Sequence, residues 1–219
     1  MISQARAEVT RQAIIDAGVE VVDEVGYSAA SLTEVIGRAG VTKGAFYYHF
    51  PTKTDMGLAI LVESDRAIKD AVRAVWDSSS AVTDLENLVR SAFVIADLAR
   101  ADRKIRVGVQ LTDSLGKTTG SDRYGRQRAF LVHVVRKSIS EGDIRAEVNA
   151  EDLGHALWVS LLGNQLLSEI SGEDSVESLA RILRSVLAHS CTDRSGPYFE
   201  QLVDRLAGFY AMSSAAGQD

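Results

Sequence analysis

Apolar residues recur at the spacing of an α-helix along almost the whole chain, and this periodicity constrains the fold more than any other feature. Only 2 prolines interrupt the 219 residues, and the alternation of β-branched and polar residues that marks strands is scarce. A β-sandwich has a turn about every ten residues, so the pattern argues against that class. The composition, 46% hydrophobic and 25% charged, is that of a globular protein. The sequence therefore predicts an all-α fold.

The sequence also favours a cytoplasmic protein. The longest apolar runs, such as residues 156–162, are shorter than the roughly 20 residues that a membrane helix requires. Residues 1–11 are polar and lack the apolar stretch of a secretory signal. The single cysteine, Cys191, cannot form an intrachain disulfide, which fits a reducing compartment. The four histidines are dispersed without partners at metal-site spacing, so we expect neither a metal nor a cofactor.

Capping signals divide the start of the chain into short helices. Apolar residues at helical spacing predict a first helix over 5–25, and Ser31 is a good N-cap for a second. Thr42 is the N-cap of a third helix over 43–49. Gly40 supplies the tight turn between the second and third helices. Short helices joined in this way are typical of a helix-turn-helix module.

The third helix is predicted to have two distinct faces. At about 100° per residue, Phe46 and Phe50 fall on one arc, which would pack against the first two helices. The opposite arc carries a lysine, a glycine and two tyrosines: Lys43, Gly44, Tyr47 and Tyr48. A cation, a missing side chain and phenol hydroxyls suit close approach to DNA. The alternative, that the tyrosines are core residues, conflicts with the assignment of the core face to the phenylalanines.

The overall charge does not favour nucleic-acid binding. The chain has 24 basic and 30 acidic residues, for a formal net charge of −6. Residues 1–60 hold five cations against seven anions, so this part of the chain is not basic either. Any DNA binding must therefore depend on where the cations lie.

Three segments together resemble the DNA-binding domain of the TetR family of bacterial transcriptional regulators: RQAIIDAGVEVVDEVGY at 11–27, SLTEVI at 31–36 and AGVTKGAFYYHFPTK at 39–53. The resemblance covers about the first quarter of the chain. It implies a homodimeric regulator, usually a repressor, whose N-terminal modules bind a palindromic operator in double-stranded DNA. The C-terminal helices would then form the dimer and hold a small-molecule effector. On this basis residues 1–52 are the DNA-binding domain and 53–219 the ligand-binding and dimerisation domain.

Carried over position by position, the resemblance implies a DNA-binding surface of nine residues: Ser31, Thr33, Thr42, Lys43, Gly44, Tyr47, Tyr48, His49 and Lys53. Lys43 has the chemistry to contact a guanine edge or a phosphate, and Ser31 and Thr33 suit phosphate oxygens. Two members have ordinary alternatives. His49 lies toward the packed arc, where a structural role is equally reasonable, and Lys53 resembles a solvated lysine at a helix start.

The rest of the chain is predicted to be helical, in segments near 53–76, 82–99, 103–114, 122–141, 150–171, 175–190 and 197–212, with a break at 116–120. The stretches EGDIR at 141–145 and EDLGH at 151–155 are similar to the γ-butyrolactone receptor subgroup of TetR-like proteins. That subgroup implies a pocket tryptophan near the start of the seventh helix. This chain has Gln127 there, with Tyr124 nearby, so it departs from the subgroup at this position.

The segment 150–171 is apolar on two faces, so it separates two apolar environments. One interpretation is a central core helix; the other places an effector cavity on one side and the dimer partner on the other. Six residues are candidates for effector contact: Trp76, Tyr124, Gln127, Trp158, Leu162 and Gln165. The two tryptophans suit an amphiphilic ligand, although isolated tryptophans are more often core residues. We therefore expect a small, largely apolar effector.

The last two predicted helices carry clear apolar stripes. One stripe can close the core of the monomer, and the other would be exposed unless it met a second subunit. The sequence thus favours a four-helix bundle between subunits, with these interface candidates: Leu179, Leu183, Val186, Leu202 and Leu206.

Enzymatic motifs are weak, so we expect no enzyme. The segment LGKT at 115–118 superficially resembles a phosphate-binding loop, but position 111 is Leu where the motif requires Gly. Two alternatives to an effector-controlled repressor stay open. One is a helical DNA-binding regulator without a small-molecule inducer, and the other is an enzyme-like helical module fused to a DNA-binding head.

Overall fold

A computed structural model describes residues 2–78, 83–119 and 121–216, and within these ranges the chain forms ten α-helices. In chain order they are α1 (Ile2–Ala29), α2 (Leu32–Arg38), α3 (Lys43–His49), α4 (Lys53–Ser78), α5 (Asp84–Ala101), α6 (Arg103–Thr119), α7 (Ser121–Glu141), α8 (Ala150–Ser171), α9 (Ser175–Ser190) and α10 (Gly196–Ala216). The all-α prediction is confirmed, since β-structure in the described ranges is limited to an isolated bridge between Ile144 and Cys191. Across those ranges we find no helix with the length and apolarity that crossing a bilayer requires.

The helix bounds follow the sequence closely except in α1 and α6. The backbone of α1 leaves helical geometry at Gly26, with a φ of +79°, directly after the predicted 5–25 segment. The predicted break at 116–120 is wrong for residues 116–119, because α6 continues to Thr119. Residue 120 lies outside the described residues.

The predicted caps of the short helices are confirmed. The Ser31 hydroxyl accepts a hydrogen bond from the backbone N–H of Thr33 at 3.2 Å, and the Thr42 hydroxyl accepts one from the N–H of Ala45 at 3.1 Å. Between these helices Gly40 has a φ of +65°, the left-handed conformation that glycine adopts without steric cost. Local chemistry therefore fixes where α2 and α3 begin.

The helices form two compact units. The N-terminal unit comprises Met1–Ile68 and Ala101–Ser121, and the C-terminal unit comprises Lys69–Arg100 and Asp122–Asp219. The first part of α4 and all of α6 thus belong with α1–α3, so the unit does not end at residue 52. The boundary inferred from the sequence marks the end of the three-helix segment, and the assignment of residues 53–219 to ligand binding and dimerisation stays a prediction.

A single apolar core holds the N-terminal unit together. Ile14, Val22, Val35 and Phe46 from the first three helices are all fully buried in it. Three residues of α6 complete this core from far along the chain: Val107, Leu111 and Leu115. The helix-turn-helix segment is therefore built on a support that includes α6.

The C-terminal unit has its own apolar core, which draws on α5, α7, α8, α9 and α10. Phe93 of α5 and Phe199 of α10 are among its largest fully buried side chains. In α5 the buried face also includes polar side chains, notably Asn87 and Ser91. This unit therefore combines a conventional core with buried groups that can form hydrogen bonds.

Candidate nucleic-acid interface

Two phenylalanines fix the orientation of α3. Phe46 is fully buried, and Phe50, the C-cap residue that follows the helix, is 4% exposed. Their ring centroids lie 6.1 Å apart on the face that packs into the N-terminal core. Because the helix is anchored one turn apart at both points, its opposite face must point to solvent. The predicted packed arc is confirmed.

The outward face of α3 is polar, aromatic and accessible. Lys43, Gly44, Tyr47 and Tyr48 are all exposed, with Tyr47 42% and Tyr48 79% accessible. The Lys43 ammonium lies 6.0 Å from the centroid of the Tyr47 ring, a cation–π contact that orients both side chains. The outward face of α3 therefore presents one cation and two aromatic rings to solvent.

The cations near this face differ in how far they are already neutralised. The Arg38 guanidinium donates to both oxygens of Glu24 at 2.7 and 2.9 Å, and to Glu34 at 3.0 Å. The hydrogen bond from Arg38 holds the pKa of Glu24 below its usual value, and the same bond raises the pKa of Arg38. Lys43 has no carboxylate within ion-pair distance among the described residues. Lys43 is therefore the cation here that remains open to a phosphate or a base.

The other predicted contacts surround α3. Ser31, Thr33 and Thr42 are exposed, with the hydroxyls of Ser31 and Thr42 already serving as caps. A capping hydroxyl still has its own O–H to donate to a phosphate oxygen. His49 is half-buried, and its ring lies 5.1 Å from that of Tyr48, which gives this histidine a structural contact.

Lys53 is more enclosed than a free surface lysine. Its ammonium donates to the carbonyl of Ser28 at 3.2 Å and lies 4.7 Å from the centroid of the Tyr27 ring. Burial lowers the pKa of Lys53. An ammonium has three hydrogens, so the bond to Ser28 leaves donors for a phosphate while fixing the side chain at the start of α4.

In the C-terminal unit, only part of the candidate effector set is brought together. The rings of Tyr124 and Trp158 meet edge to face with centroids 5.8 Å apart. Trp76 instead packs against Phe130 at 5.7 Å and donates from its indole N–H to Ser91 at 3.2 Å. The remaining candidates vary in burial, since Gln127 is exposed whereas Leu162 and Gln165 are half-buried.

Three of the five candidate interface leucines and valines belong to the core of the monomer, which is a correction to the sequence-based expectation. Leu179 and Leu202 are 1% exposed and Leu183 is 3% exposed, so they have no surface to offer a second subunit. Val186 and Leu206 are only partly buried and stay candidates. The apolar stripes correctly indicated burial, but they could not tell the core of one chain from an interface.

Sequence reasoning also missed a buried amide. Asn87 is 8% exposed, and its Oδ1 has no hydrogen-bond partner among the described residues. Asn164, 5% exposed, donates to the carbonyl of Ser175 at 3.0 Å, while its Oδ1 is likewise unpaired. A polar residue among the apolar positions of α5 was the available signal for Asn87.

Comparisons with known proteins agree with this geometry. Residues 14–60 match the family described as bacterial regulatory proteins, tetR family. The chain is 27% identical over 169 residues to the A-factor receptor protein of Streptomyces griseus, covering 77% of this chain and 58% of that receptor. It thus spans less than two thirds of that relative's length.

Two solved structures share the fold over nearly their whole length. One is CprB from Streptomyces coelicolor in complex with its operator sequence, with a TM-score of 0.77 and 25% identity, covering 93% of this chain and 98% of CprB. The other is an ArpA-like gamma-butyrolactone receptor, with a TM-score of 0.74 and 24% identity, covering 92% of this chain and 98% of that one. The helix-turn-helix segment, residues 14–60, is therefore of the TetR-family type.

Within residues 14–60 the chain carries the helix-turn-helix of that family's DNA-binding regulators. The family match ends within α4, so it includes α3 and excludes the Tyr124–Trp158 pair. The DNA-binding and effector-binding roles of individual residues therefore stay predictions.

Gly44 provides a test of whether this face serves the fold or a partner. A Cβ at Gly44 would meet its nearest neighbouring atom at 4.0 Å, and the backbone is helical, so nothing in the protein itself requires glycine there. Gly44→Ala should raise the free energy of unfolding by up to about 1 kcal/mol and yet weaken DNA binding. Gly37 of α2 is an equally open, exposed helical glycine and is the control.

Urea denaturation and fluorescence anisotropy with a labelled operator duplex measure the two effects. Gly37→Ala should stabilise the protein without weakening binding. If Gly44→Ala binds DNA as tightly as the parent protein, the outward face of α3 does not approach DNA at this position.

Proposed function

We propose that this protein is a homodimeric TetR-family transcriptional repressor that binds a palindromic operator and is released by a small, largely apolar effector. The observation that carries the proposal is the outward face of α3, where Lys43, Tyr47 and Tyr48 are exposed on a helix anchored from behind. Such a helix fits the major groove, where lysine and tyrosine meet base edges and phosphates.

The acidic overall charge is compatible with this role. Arg38 is neutralised by Glu24 and Glu34, whereas Lys43 is not, so positive charge is available at α3 and little elsewhere on the helix-turn-helix. A dimer doubles the number of such contacts on one operator. The remaining acidic surface should weaken non-specific binding, which depends on phosphate neutralisation alone.

The two recognition helices of a dimer must match the DNA repeat. Successive major grooves on one face of the duplex lie about 34–36 Å apart, so the two α3 helices must be held at that spacing or a multiple of it. A monomer would contact one half-site only. A palindromic operator therefore requires a dimer interface elsewhere on the chain.

A shallow groove between α8 and α9 is our candidate for that interface. It has a volume of about 500 Å³ and is lined by six residues: Ser160, Ser178, Arg181, Ile182, Ser185 and Val186. Small serine side chains permit close approach of another helix, and Ile182 and Val186 supply apolar contact. On the same helix as Ser160, Val159 and Leu167 are 48% and 63% exposed, which extends the apolar surface. Val186 is the predicted interface residue that this groove retains.

For the effector we propose a site at the Tyr124–Trp158 pair. The edge-to-face rings offer apolar surface, and a phenol and an indole can each donate a hydrogen bond. The names of two similar proteins, A-factor receptor and gamma-butyrolactone receptor, support a butyrolactone-like signal. Because Gln127 stands where the subgroup has a pocket tryptophan, we expect the ligand of this protein to differ in detail from the ligands of that subgroup.

Release follows if the effector prefers a different spacing of the recognition helices. A ligand shifts a two-state equilibrium only by its difference in affinity for the two states. A coupling of about 1–3 kcal/mol corresponds to a change in operator affinity of about 5- to 150-fold. The effector need not touch DNA.

Removing the chemistry of the α3 face should abolish operator binding. The operator is found by scanning the DNA flanking the coding region for a palindrome and testing it by gel shift. The double variant Lys43→Ala with Tyr47→Ala should lose that shift, because it deletes the open cation and the ring that orients it. Lys69→Ala removes one exposed cation from the C-terminal unit and should retain the shift. Unchanged binding by the double variant would contradict the assignment of α3.

A charge in the α8–α9 groove should separate the subunits. Ile182→Glu or Val186→Glu would bury an unpaired carboxylate in the interface, which costs far more than solvating it. Analytical ultracentrifugation should then show monomers, whereas Val9→Glu, at a position 71% exposed in the N-terminal unit, should leave the dimer intact. A dimer that persists in both groove variants would move the interface elsewhere.

The effector site is tested by ligand-induced release. An alkyl γ-butyrolactone should dissociate the parent protein from its operator, and Trp158→Ala should remain bound to DNA because the ring that contacts the ligand is gone. Trp76→Phe, which alters a ring packed against Phe130, is the control and should respond like the parent. Mass spectrometry of the purified protein identifies any co-purified molecule. If neither lactones nor a co-purified compound changes DNA binding, the protein is a regulator without a small-molecule inducer.

A further inference from the structure

We propose that Glu63 is a positioning residue for the recognition helix, linking α6 to the end of α3 through Arg11. The inference rests on the proposed DNA-binding function and adds to it a residue that lies on neither the DNA-binding face nor the candidate effector site. Glu63 lies on α4, and its partners Arg11, Gln12 and Lys104 all belong to the N-terminal unit.

The Glu63 carboxylate joins three helices. Its Oε2 accepts from the Lys104 ammonium of α6 at 2.9 Å and from the Gln12 amide of α1 at 3.3 Å. Its Oε1 accepts from the Arg11 guanidinium of α1 at 3.5 Å. The Glu63 side chain is 24% exposed, so solvent screens these interactions less than those of a free surface pair. The Glu63 carboxylate therefore bridges the Arg11 guanidinium of α1 to the Lys104 ammonium of α6.

Arg11 continues this link to the recognition helix. Its guanidinium carbon lies 5.5 Å from the centroid of the Phe50 ring. Phe50 is the C-cap of α3, and its backbone N–H donates to the carbonyl of Phe46 at 2.8 Å. A guanidinium over an aromatic ring is a directional contact. Arg11 therefore contacts Phe50, the C-cap residue of α3, directly.

Helix α6, which carries Lys104, is held against α1 and α4 by several contacts. Arg103 and Arg106 of α6 both pair with Asp23 of α1, at 3.2 and 2.9 Å. Farther along α6, Gly108 packs directly on Ser64, where an added Cβ would come within 2.1 Å of the serine hydroxyl. The start of α6 is therefore held against α1 and α4, and the Lys104 ammonium also lies 3.7 Å from Asp16 of α1. From this position Lys104 pairs with Glu63, which in turn contacts Arg11.

Electrostatics and positioning predict opposite changes in DNA affinity when the charge of Glu63 is removed. Removing a carboxylate lowers the negative charge of the unit, so electrostatics alone predicts tighter DNA binding. Loss of positioning predicts the opposite, because Arg11 is released from α6 and the end of α3 is less constrained. Arg11 also lies 3.7 Å from the exposed carboxylate of Glu8, to which it can turn. The direction of the change in affinity therefore separates the two effects.

The test is Glu63→Gln in the full-length protein, with operator affinity measured by fluorescence anisotropy at fixed salt. We expect binding about fivefold weaker or more, a coupling of the size seen between distant sites. Glu34→Gln removes the same charge from α2, where the carboxylate pairs with Arg38, and should bind as tightly as the parent or more tightly. Glu63→Gln binding as tightly as the parent, or more tightly, would overturn the inference.

Two further measurements exclude a merely structural effect. Circular dichroism melts must show that Glu63→Gln is folded at the assay temperature; if it is not, Glu63→Asp keeps the charge but shortens the reach, and should also bind more weakly. The pair Glu63→Gln and Arg11→Gln should be non-additive, because both break one link. Additive losses would overturn the inference.

The parent protein separates this inference from the proposed function. If the parent binds no palindromic duplex, the proposed function fails. If the parent binds and only the Glu63 variants behave as electrostatics alone predicts, the positioning role fails and the regulator assignment is unaffected.

Discussion

Burial of Phe46 and Phe50 under α3 is the interaction on which the rest of the account depends. With both rings in the N-terminal core, a helix of barely two turns has its rotation about its own axis fixed. Tyr48 is then 79% exposed not by accident but because the opposite side of the same helix is full. Losing either ring would free the helix to rotate, and the outward side chains would no longer share a defined direction. The direction of the outward face is thus a consequence of core packing.

In the N-terminal unit, many acidic side chains form ion pairs with neighbouring cations. Acidic residues outnumber basic ones in the first sixty positions, but several of these acids pair with cations of the same unit, as Glu24 and Glu34 do with Arg38. Among the described residues Lys43 has no carboxylate partner, and it lies on the face of α3 that we propose for DNA contact. A protein can therefore be acidic overall and still present a local positive contact, provided its carboxylates are occupied elsewhere.

Local chemistry made the helix-turn-helix predictable. The caps at Ser31 and Thr42 and the two arcs of α3 depend on residues within one or two turns of each other, so the printed order of side chains is sufficient. The C-terminal unit was less accessible to such reasoning. From the sequence, Leu183 fits an interface as well as it fits the core. An apolar stripe predicts that a residue is buried, but not whether its own chain or a second subunit buries it. The contact between Lys104 and Glu63 joins residues 41 positions apart, and helical periodicity relates only residues within a few turns of each other.

Methylation protection is the sharpest test of whether the outward face of α3 lies in the major groove of the operator. Dimethyl sulfate modifies guanine N7, which the major groove exposes, and adenine N3, which the minor groove exposes. With the bound operator, we predict protection of guanine N7 in two half-sites whose centres lie about 10–10.5 base pairs, or a multiple of that, apart. Protection confined to adenine N3, or to a single half-site, would contradict the account.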